Sequence, residues 1–283
     1  MSPNESRQTR SQQREATREK ARAMREATVR KERTKSLLIK ITIGVVLAGV
    51  AAIIAGAVIT SNQPAATPQN LIFDNGIKVG TNLEAYTANH TPTPVASPST
   101  KTVPNIVIYV DYQCPICQAF ETANGAQLKQ WVNSGIATVE YHPISFLDGR
   151  ASPNTYSSRA ENAAVCVATY SPNKFFDFTQ LLFAHQPAEN TPGPENAMLV
   201  QRTTEVGVDN ASKIADCINN KTYGKWVAAT TTKVLGANYT VKGTKIPVTG
   251  TPTIVVNGQQ FKATVAELQD PAVFAAWFQQ VTK

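Results

Sequence analysis

The sequence is poor in residues that bind metals. Its 283 residues include only four cysteines and three histidines. Cys114 and Cys117 are separated by two residues, but no second C-x-x-C pair and no closely spaced histidine pair accompanies them. The histidines are scattered along the chain, at His90, His142 and His185. A structural zinc site needs two further ligands at short spacing, so we predict no metal, with zinc as a weaker alternative for the cysteine pair.

The chain also lacks an excess of either charge beyond residue 40. Residues 1–40 hold 12 Lys/Arg against 5 Asp/Glu, a surplus of 7 that equals the formal charge of the whole chain. The remainder, with 15 basic and 15 acidic residues, is neutral. Because the basic excess belongs to one tail, it does not indicate that the folded part binds nucleic acid.

The first sixty residues predict a single-pass protein of the cell membrane. Residues 1–36 contain almost no large apolar side chains and cannot bury a core, so we predict a basic cytoplasmic tail. Residues 41–59 are uncharged and would span about 28 Å as a helix, close to the hydrocarbon thickness of a bilayer. We therefore predict a transmembrane signal-anchor helix at residues 37–60, with the C-terminal part extracytoplasmic because the basic residues precede the anchor. The small residues 55–57 offer a signal-peptidase site, so a cleaved signal peptide is the alternative.

A linker is predicted at residues 61–102, which are rich in Pro, Thr, Ser and Ala. Within it, residues 71–79 place Asp74, Asn75 and Gly76 between two short apolar runs. Asn-Gly between apolar runs is a hairpin signal, so we predict a small hairpin at residues 71–79.

Residues 103–283 alternate between strand and helix patterns. In chain order, the predicted elements are a strand at 106–112, a helix at 115–132, a strand at 136–146, a helical block at about 152–240, a hairpin at 253–263 and a helix at 270–281. This order predicts an α/β protein with a thioredoxin fold, into which an α-helical domain is inserted at about residues 152–240.

The predicted redox site is Cys114-Pro115-Ile116-Cys117, between the first strand and the first helix of this domain. The first turn of a helix has unpaired N–H groups and a partial positive charge, which favour a thiolate. We therefore predict Cys114 as the nucleophile and Cys117 as the thiol that attacks a mixed disulfide formed at Cys114. The pattern indicates a thioredoxin-like redox site without a cofactor. An inert structural disulfide and a non-catalytic thiolate module that binds a metal are the alternatives.

Asp111 lies three residues before Cys114, at the end of the predicted strand. Cys117 must lose its proton when it attacks a mixed disulfide, and a partly buried carboxylate is able to accept that proton. Asp111 is therefore a candidate proton relay, with a hydrogen-bonded structural aspartate as the alternative.

The remaining cysteines, Cys166 and Cys217, fall in two different helices of the predicted insertion. Four cysteines allow three pairings. If Cys114 pairs with Cys117, the other two remain for each other, and two free buried thiols are the alternative.

Several of these features together resemble one family. The motif Asp-Tyr-x-Cys-Pro-x-Cys, a helical insertion and a later Thr251-Pro252 before a hairpin resemble the DsbA family of thiol-disulfide oxidoreductases, in the thioredoxin superfamily. A second cysteine pair at this spacing is similar to the membrane-anchored DsbA type of actinobacteria, mycobacteria in particular. The resemblance implies that Pro252 is a cis-proline, that Thr251 binds the substrate backbone, and that Cys166 and Cys217 form a structural disulfide.

The resemblance also implies an activity, which is the introduction of disulfides into exported proteins. The implied partners are unfolded exported proteins with free cysteines and a membrane VKOR-like or DsbB-like protein that reoxidises the dithiol. One position departs from the strongly oxidising members of the wider family, which have Pro-His between the cysteines where this chain has Pro115-Ile116. A reductase or isomerase with the same fold is therefore the alternative.

Overall fold

The structure is a computed structural model that describes most of the predicted domain. It describes residues 14, 15, 20, 22, 24, 65–93, 103–149 and 155–283. The predicted anchor at residues 37–60 lies outside these residues, as does nearly all of the predicted tail. Among the residues that are described, no helix is both long and apolar enough to cross a membrane. The fold is carried by the unit Ala65–Lys283.

A mixed sheet of five strands forms the centre of this unit. The strands are β1 Ile77–Val79, β2 Asn105–Val110, β3 Thr138–Pro143, β4 Thr253–Val256 and β5 Gln259–Gln260. Their order in the sheet is β1-β3-β2-β4-β5, with β2 and β3 parallel and the other pairs antiparallel. Both faces of the sheet are covered, so β2 is an unbroken apolar run, as a strand buried on both sides requires.

The helices follow the predicted order. They are α1 Pro115–Asn133, α2 Tyr156–Tyr170, α3 Phe175–Ala184, α4 Asn196–Glu205, α5 Ala211–Asn219, α6 Gly224–Val234, α7 Val265–Leu268 and α8 Pro271–Val281. Helices α2 to α6 lie between β3 and β4 in the chain, and they form the inserted helical domain. The predicted α/β fold with an inserted helical domain is therefore confirmed.

Strand β2 separates two apolar cores. Ile106, Ile108 and Val110 belong to the larger core, which includes residues of α1 and of the inserted helices. Val107 and Tyr109 face the smaller core on the other side of the sheet. This alternation is the period of two that a strand imposes on its side chains, and it fixes the end of β2 directly before the cysteine motif.

The stretch predicted as a linker contains part of the larger core. Ile77 and Val79 of β1 are fully buried, and β1 pairs antiparallel with β3. The predicted turn forms, since Asp74 and Asn75 have positive φ angles and Phe73 pairs antiparallel with Gly76 across it, but the strand after the turn pairs with β3. A two-stranded hairpin buries too little apolar surface to be stable alone, whereas the sheet offers Ile77 and Val79 a complete core. Within the predicted linker, residues 77–79 therefore add an edge strand to the sheet of the domain.

Gly76 has a steric role at the start of β1. A Cβ atom at this position would lie 2.5 Å from Nε2 of His142, which is closer than any side-chain contact allows. His142 is itself buried and stacks on Tyr109 with ring centroids 4.4 Å apart. Glycine is therefore required for β1 to approach β3.

The inserted helices are joined by the second cysteine pair. Cys166 in α2 and Cys217 in α5 form a disulfide with a sequence separation of 51. Most of α2 is buried, so this helix is the centre of the insertion. The disulfide thus closes a loop that begins and ends within the inserted domain.

Candidate active site

The cysteine motif lies where β2 leads into α1. Cys114 is the N-cap residue of α1 and has an extended backbone, and Pro115 occupies the first turn, where a missing N–H costs no hydrogen bond. Both thiols are free. Cys114 is 6% exposed, whereas Cys117 is fully buried. An attacking thiol therefore reaches Cys114 first.

The ionisation of Cys114 is shifted towards the thiolate. The hydrogen bond with the Cys117 thiol lowers the pKa of Cys114 to about 6, against the effect of burial, which raises it. The Thr251 hydroxyl and the backbone N–H groups of Ile116 and Cys117 lower this pKa further. At pH 7, Cys114 is therefore mostly a thiolate.

Cys117 has the opposite behaviour. Burial raises the pKa of Cys117 well above its ordinary value, and the neighbouring Cys114 raises it further. Cys117 therefore keeps its proton at pH 7 while Cys114 is ionised. The two sulfur atoms therefore differ in protonation in the protein without substrate.

The loop before β4 completes the site. The peptide bond between Thr251 and Pro252 is cis, and the Cys114 Sγ atom lies 3.2 Å from the Thr251 carbonyl oxygen. The Thr251 hydroxyl lowers the pKa of both cysteines and has no hydrogen-bond partner elsewhere. The structure thus brings the two cysteines and Thr251 together, although more than 130 residues separate them in the chain.

Asp111 is fully buried beside the motif. Its Oδ1 atom accepts hydrogen bonds from the Gln113 N–H and the Ser157 hydroxyl, each at 2.7 Å. Its Oδ2 atom accepts from the Leu147 N–H at 2.8 Å. Burial raises the pKa of Asp111 to about 6, although these three hydrogen bonds lower it. The carboxylate joins the end of β2 to α2 and to the loop after β3, and it is able to take up a proton near neutral pH.

Glu121 is a buried acid in the helix that carries the cysteines, and the sequence analysis missed it. It lies four residues after Cys117 on the same face of α1 and is almost completely buried. Its Oε2 atom accepts hydrogen bonds from the Tyr141 hydroxyl at 2.9 Å and from Gln180 at 2.6 Å. Burial raises the pKa of Glu121 to about 7. The one signal in the sequence is a glutamate at i+4 from Cys117, on the face that also carries Phe120 and Leu128.

Glu161 is a second buried carboxyl that the sequence analysis missed. It lies in α2 and is fully buried. Burial raises the pKa of Glu161 well above its ordinary value, and the nearby Asp111 carboxylate raises it further. The boundary between the sheet and the inserted helices therefore holds several acids that are protonated more readily than free carboxylates.

A metal would find few ligands near the dithiol. Within the described ranges, no group of three or more His, Cys, Asp or Glu side chains is arranged to hold a metal ion. The neighbours of Cys114 are instead thiol, hydroxyl and backbone groups. This environment suits thiol-disulfide exchange, in which only protons and sulfur bonds change.

Comparison with known proteins agrees with this geometry. A family model described as thioredoxin matches residues 90–271, more than half of the chain. The chain belongs to this thioredoxin family. The predicted membership of the thioredoxin superfamily is therefore confirmed. No curated protein matches the chain.

Solved structures that resemble this thioredoxin-family chain include two from Mycobacterium tuberculosis. Oxidised DsbA is 28% identical with a TM-score of 0.55, and the match covers 73% of this chain and 92% of that chain. Reduced DsbG is 28% identical with a TM-score of 0.53, covering 72% and 86%. BdbD from Bacillus subtilis, at 17% identity, shares the fold with a TM-score of 0.53 over 78% and 99%. The chain thus matches DsbA-type protein-disulfide oxidoreductases closely in structure, as its sequence predicts.

Proposed function

We propose that this chain is an extracytoplasmic thiol-disulfide oxidoreductase that introduces disulfides into exported proteins. The observation that carries the proposal is the contrast within the dithiol, in which the pKa of Cys114 is lowered to about 6 while that of Cys117 is raised. A stable Cys114 thiolate favours the reduced form of the pair. The Cys114–Cys117 disulfide therefore accepts electrons from substrate thiols.

The first step of the reaction forms a mixed disulfide. A substrate thiolate attacks the Cys114 sulfur of the oxidised enzyme, a bond forms between the two sulfurs, and the Cys114–Cys117 bond breaks. Cys117 leaves with the electron pair and takes up a proton, since its pKa is raised. The Asp111 backbone adjoins Cys117 and burial raises the pKa of the Asp111 carboxyl to about 6, so Asp111 is the proposed proton relay.

The second step forms the substrate disulfide. A second substrate thiolate attacks the substrate sulfur of the mixed disulfide, and Cys114 leaves as a thiolate. The low pKa of Cys114 makes it a good leaving group. Counted from its two thiols, the substrate loses two electrons and two protons: the enzyme dithiol receives both electrons, Cys117 takes up one proton and solvent takes up the other. A membrane protein of the VKOR-like or DsbB-like class is the proposed acceptor that reoxidises it.

Thr251 is the proposed binding residue for the substrate backbone. Its carbonyl oxygen lies within hydrogen-bond distance of Cys114 Sγ, so a peptide joined to Cys114 passes directly over it. The preferred substrate is therefore an unfolded segment, whose backbone is free to pair with Thr251.

The proposed location is the outer face of the cell membrane. Support comes from the sequence, in which a basic segment precedes the uncharged residues 41–59. An oxidising compartment also suits the Cys166–Cys217 disulfide.

A reductase or isomerase is the second candidate, and one observation favours it. The pKa of Cys114, at about 6, lies between roughly 7 in thioredoxin and roughly 3.5 in DsbA. Ile116 also stands where strongly oxidising members have histidine. We expect a reduction potential between roughly −270 and −120 mV, the values of thioredoxin and DsbA.

Two measurements test the proposal. The first is equilibration of the dithiol with glutathione: a potential above about −200 mV supports the oxidase, and one near −270 mV supports the reductase. The second is oxidation of a reduced, unfolded protein by the full-length chain. Cys114→Ser is expected to abolish it, and a variant that keeps the wild-type rate would show that Cys114 is not the nucleophile.

A further inference from the structure

A loop of the inserted domain, residues 186–195, is fixed to the segment that carries Cys114. The Gln186 side chain donates a hydrogen bond to the Cys114 carbonyl oxygen at 3.0 Å. Gln113, the residue before Cys114, donates from Nε2 to the carbonyl oxygens of Ala188 and Thr191, at 3.1 and 3.0 Å. Side chains thus join this loop to the cysteine motif from both directions.

The far end of the 186–195 loop is fixed to α2. Arg159 donates hydrogen bonds to the carbonyl oxygens of Pro192 at 3.0 Å and Pro194 at 2.7 Å. Gly193 has a φ angle of +62°, and a Cβ atom there would lie 2.6 Å from the Tyr156 ring. Side chains therefore satisfy the loop's carbonyl groups where no helix or strand does so, and the loop has a preformed shape.

Gln113 connects the 186–195 loop to Cys114, the residue that follows it. The Gln113 side chain is fully buried, and the two N–H groups of its amide match the two carbonyl oxygens that it faces. Within the part of the chain that the structure describes, the remaining Oε1 atom is buried without a hydrogen-bond partner. An unpaired buried acceptor opposes folding, so stability alone does not account for a glutamine at this position.

Cys114 lies between two different segments. Its sulfur atom contacts the Thr251 carbonyl oxygen, and its own carbonyl oxygen accepts from Gln186 of the loop. The loop also presents exposed residues to solvent, Ala188 and Glu189 among them. We propose that the 186–195 loop is a second wall of the peptide site, opposite Thr251, and that Gln113 is the positioning residue that sets it. This rests on the proposed function, since it concerns how a polypeptide thiol reaches Cys114.

The proposal predicts that polypeptide thiols and small thiols respond differently when the loop is displaced. A cysteine within an unfolded segment brings neighbouring residues that contact both walls, whereas mercaptoethanol reaches the sulfur without them. Displacement of the loop should therefore slow exchange with a peptide but not with mercaptoethanol. A substitution that acted on Cys114 itself would slow both reactions.

Thiol exchange on a blocked protein provides the test. In the full-length Cys117→Ser protein, Cys114 is first joined to thionitrobenzoate. An incoming thiol then forms a new disulfide with Cys114 and releases coloured thionitrobenzoate, so one thiol is consumed and one released. We expect Gln113→Met, which removes the donor but keeps the volume, to slow a cysteine peptide about tenfold and mercaptoethanol less than twofold. No net oxidation occurs, so the loop is tested even if the chain is not an oxidase.

Gln127→Met is the matched control. Like Gln113, Gln127 donates to a backbone carbonyl, that of Pro271 at 3.1 Å, but it lies in α1 more than three turns beyond Cys114. We expect both rates to stay at the parent value. Equal slowing of both thiols by Gln113→Met, or no slowing of the peptide, would overturn the proposal.

A cross-link tests the wall without altering Gln113. Benzoylphenylalanine replaces the exposed Ala188 in the Cys117→Ser protein, and the cysteine peptide is held on Cys114 as a mixed disulfide. Irradiation is expected to join the peptide to position 188. The same group at Asn257, at the opposite end of β4 from Pro252, is expected to give no cross-link. Absence of the product at position 188 would contradict the proposal, whatever the stability of the Gln113 variant.

Discussion

Cys114 and Cys117 are three positions apart, yet their protonation differs. The pKa of Cys114, at the helix N-cap, is lowered by the Cys117 thiol, the Thr251 side chain and two backbone N–H groups. Cys117, one turn further into α1, is fully buried and faces the charge that forms on Cys114. Position within a single helical turn therefore decides which sulfur ionises.

The Thr251 hydroxyl is expected to contribute measurably to this difference. In Thr251→Val, the pKa of Cys114 should rise by about one unit, because a hydrogen bond to a charged group contributes roughly 1.5 kcal/mol. A less stable Cys114 thiolate makes the disulfide harder to reduce, so the reduction potential should fall by about 30 mV. Ultraviolet absorbance of the thiolate as a function of pH measures the first effect, and glutathione equilibration measures the second.

Thr253→Val is the control for Thr251→Val. The Thr253 hydroxyl donates to the Gly250 carbonyl oxygen at 2.8 Å, so the same group is lost two residues away without removing a donor to sulfur. The pKa of Cys114 should not change. An equal shift in both variants would mean that the loop conformation, and not the Thr251 hydroxyl, sets the pKa.

For single residues, the sequence predicts which groups are reactive better than it predicts the residues that surround them. The positions of Cys114 and Cys117 follow from local spacing and from the strand and helix that flank them. Glu121 is different, because its burial depends on Tyr141 and Gln180, which come from β3 and α3. No local pattern in α1 contains that information, so the shifted pKa of Glu121 appears only once the elements are packed.

Helix α1 is therefore more than a support for the cysteines. Its buried face places the carboxyl of Glu121 against β3 and α3, where burial raises the pKa to about 7. The unfolded chain has a pKa near 4.3 at this residue. The folded protein consequently binds the proton more tightly, and the stability from this group is fully present below about pH 4.3 and is lost as pH rises through about 7.

Glu121→Gln should remove this pH dependence. Between pH 4.5 and 8, the wild-type protein is expected to lose about 3 kcal/mol more unfolding free energy than the variant. Urea denaturation at a series of pH values measures the difference. The exposed Glu205 supplies the control, and Glu205→Gln should follow the wild-type curve. Parallel curves for Glu121→Gln and wild type would contradict the assignment.

Prediction of whole elements succeeded where one local pattern dominates. Strand β2 is apolar throughout residues 106–110 and mostly β-branched, and the β4–β5 hairpin has Asn257-Gly258 at its turn. Strand β1, three residues long, was predicted as one arm of the hairpin at residues 71–79, but its pairing with β3 was not. Its partner β3 is about 60 residues away, and such pairing leaves no local signature.

For the molecule as a whole, the second disulfide stabilises the inserted domain. It closes a loop of 51 residues between α2 and α5. Replacing Cys166 and Cys217 by alanine should lower the unfolding free energy by about 4 kcal/mol in the chain-entropy model. Urea denaturation of the full-length protein measures this loss.

The dithiol should be almost unaffected by that double replacement. Cys166 and Cys217 lie within the insertion, and neither is among the groups that set the pKa of Cys114. The reduction potential is therefore expected to stay within about 15 mV, which corresponds to less than 1 kcal/mol. A larger shift, or a loss of stability below about 1 kcal/mol, would show that the disulfide has another role.

Strand β1 has a consequence for self-association. It occupies the outer edge of β3, and an uncovered edge strand presents free N–H and C=O groups to which another chain can add. A protein that began at residue 103, where the sequence pattern places the domain, would expose that edge together with the apolar surface that Ile77 and Val79 cover. The short segment before the domain thus protects the sheet against aggregation.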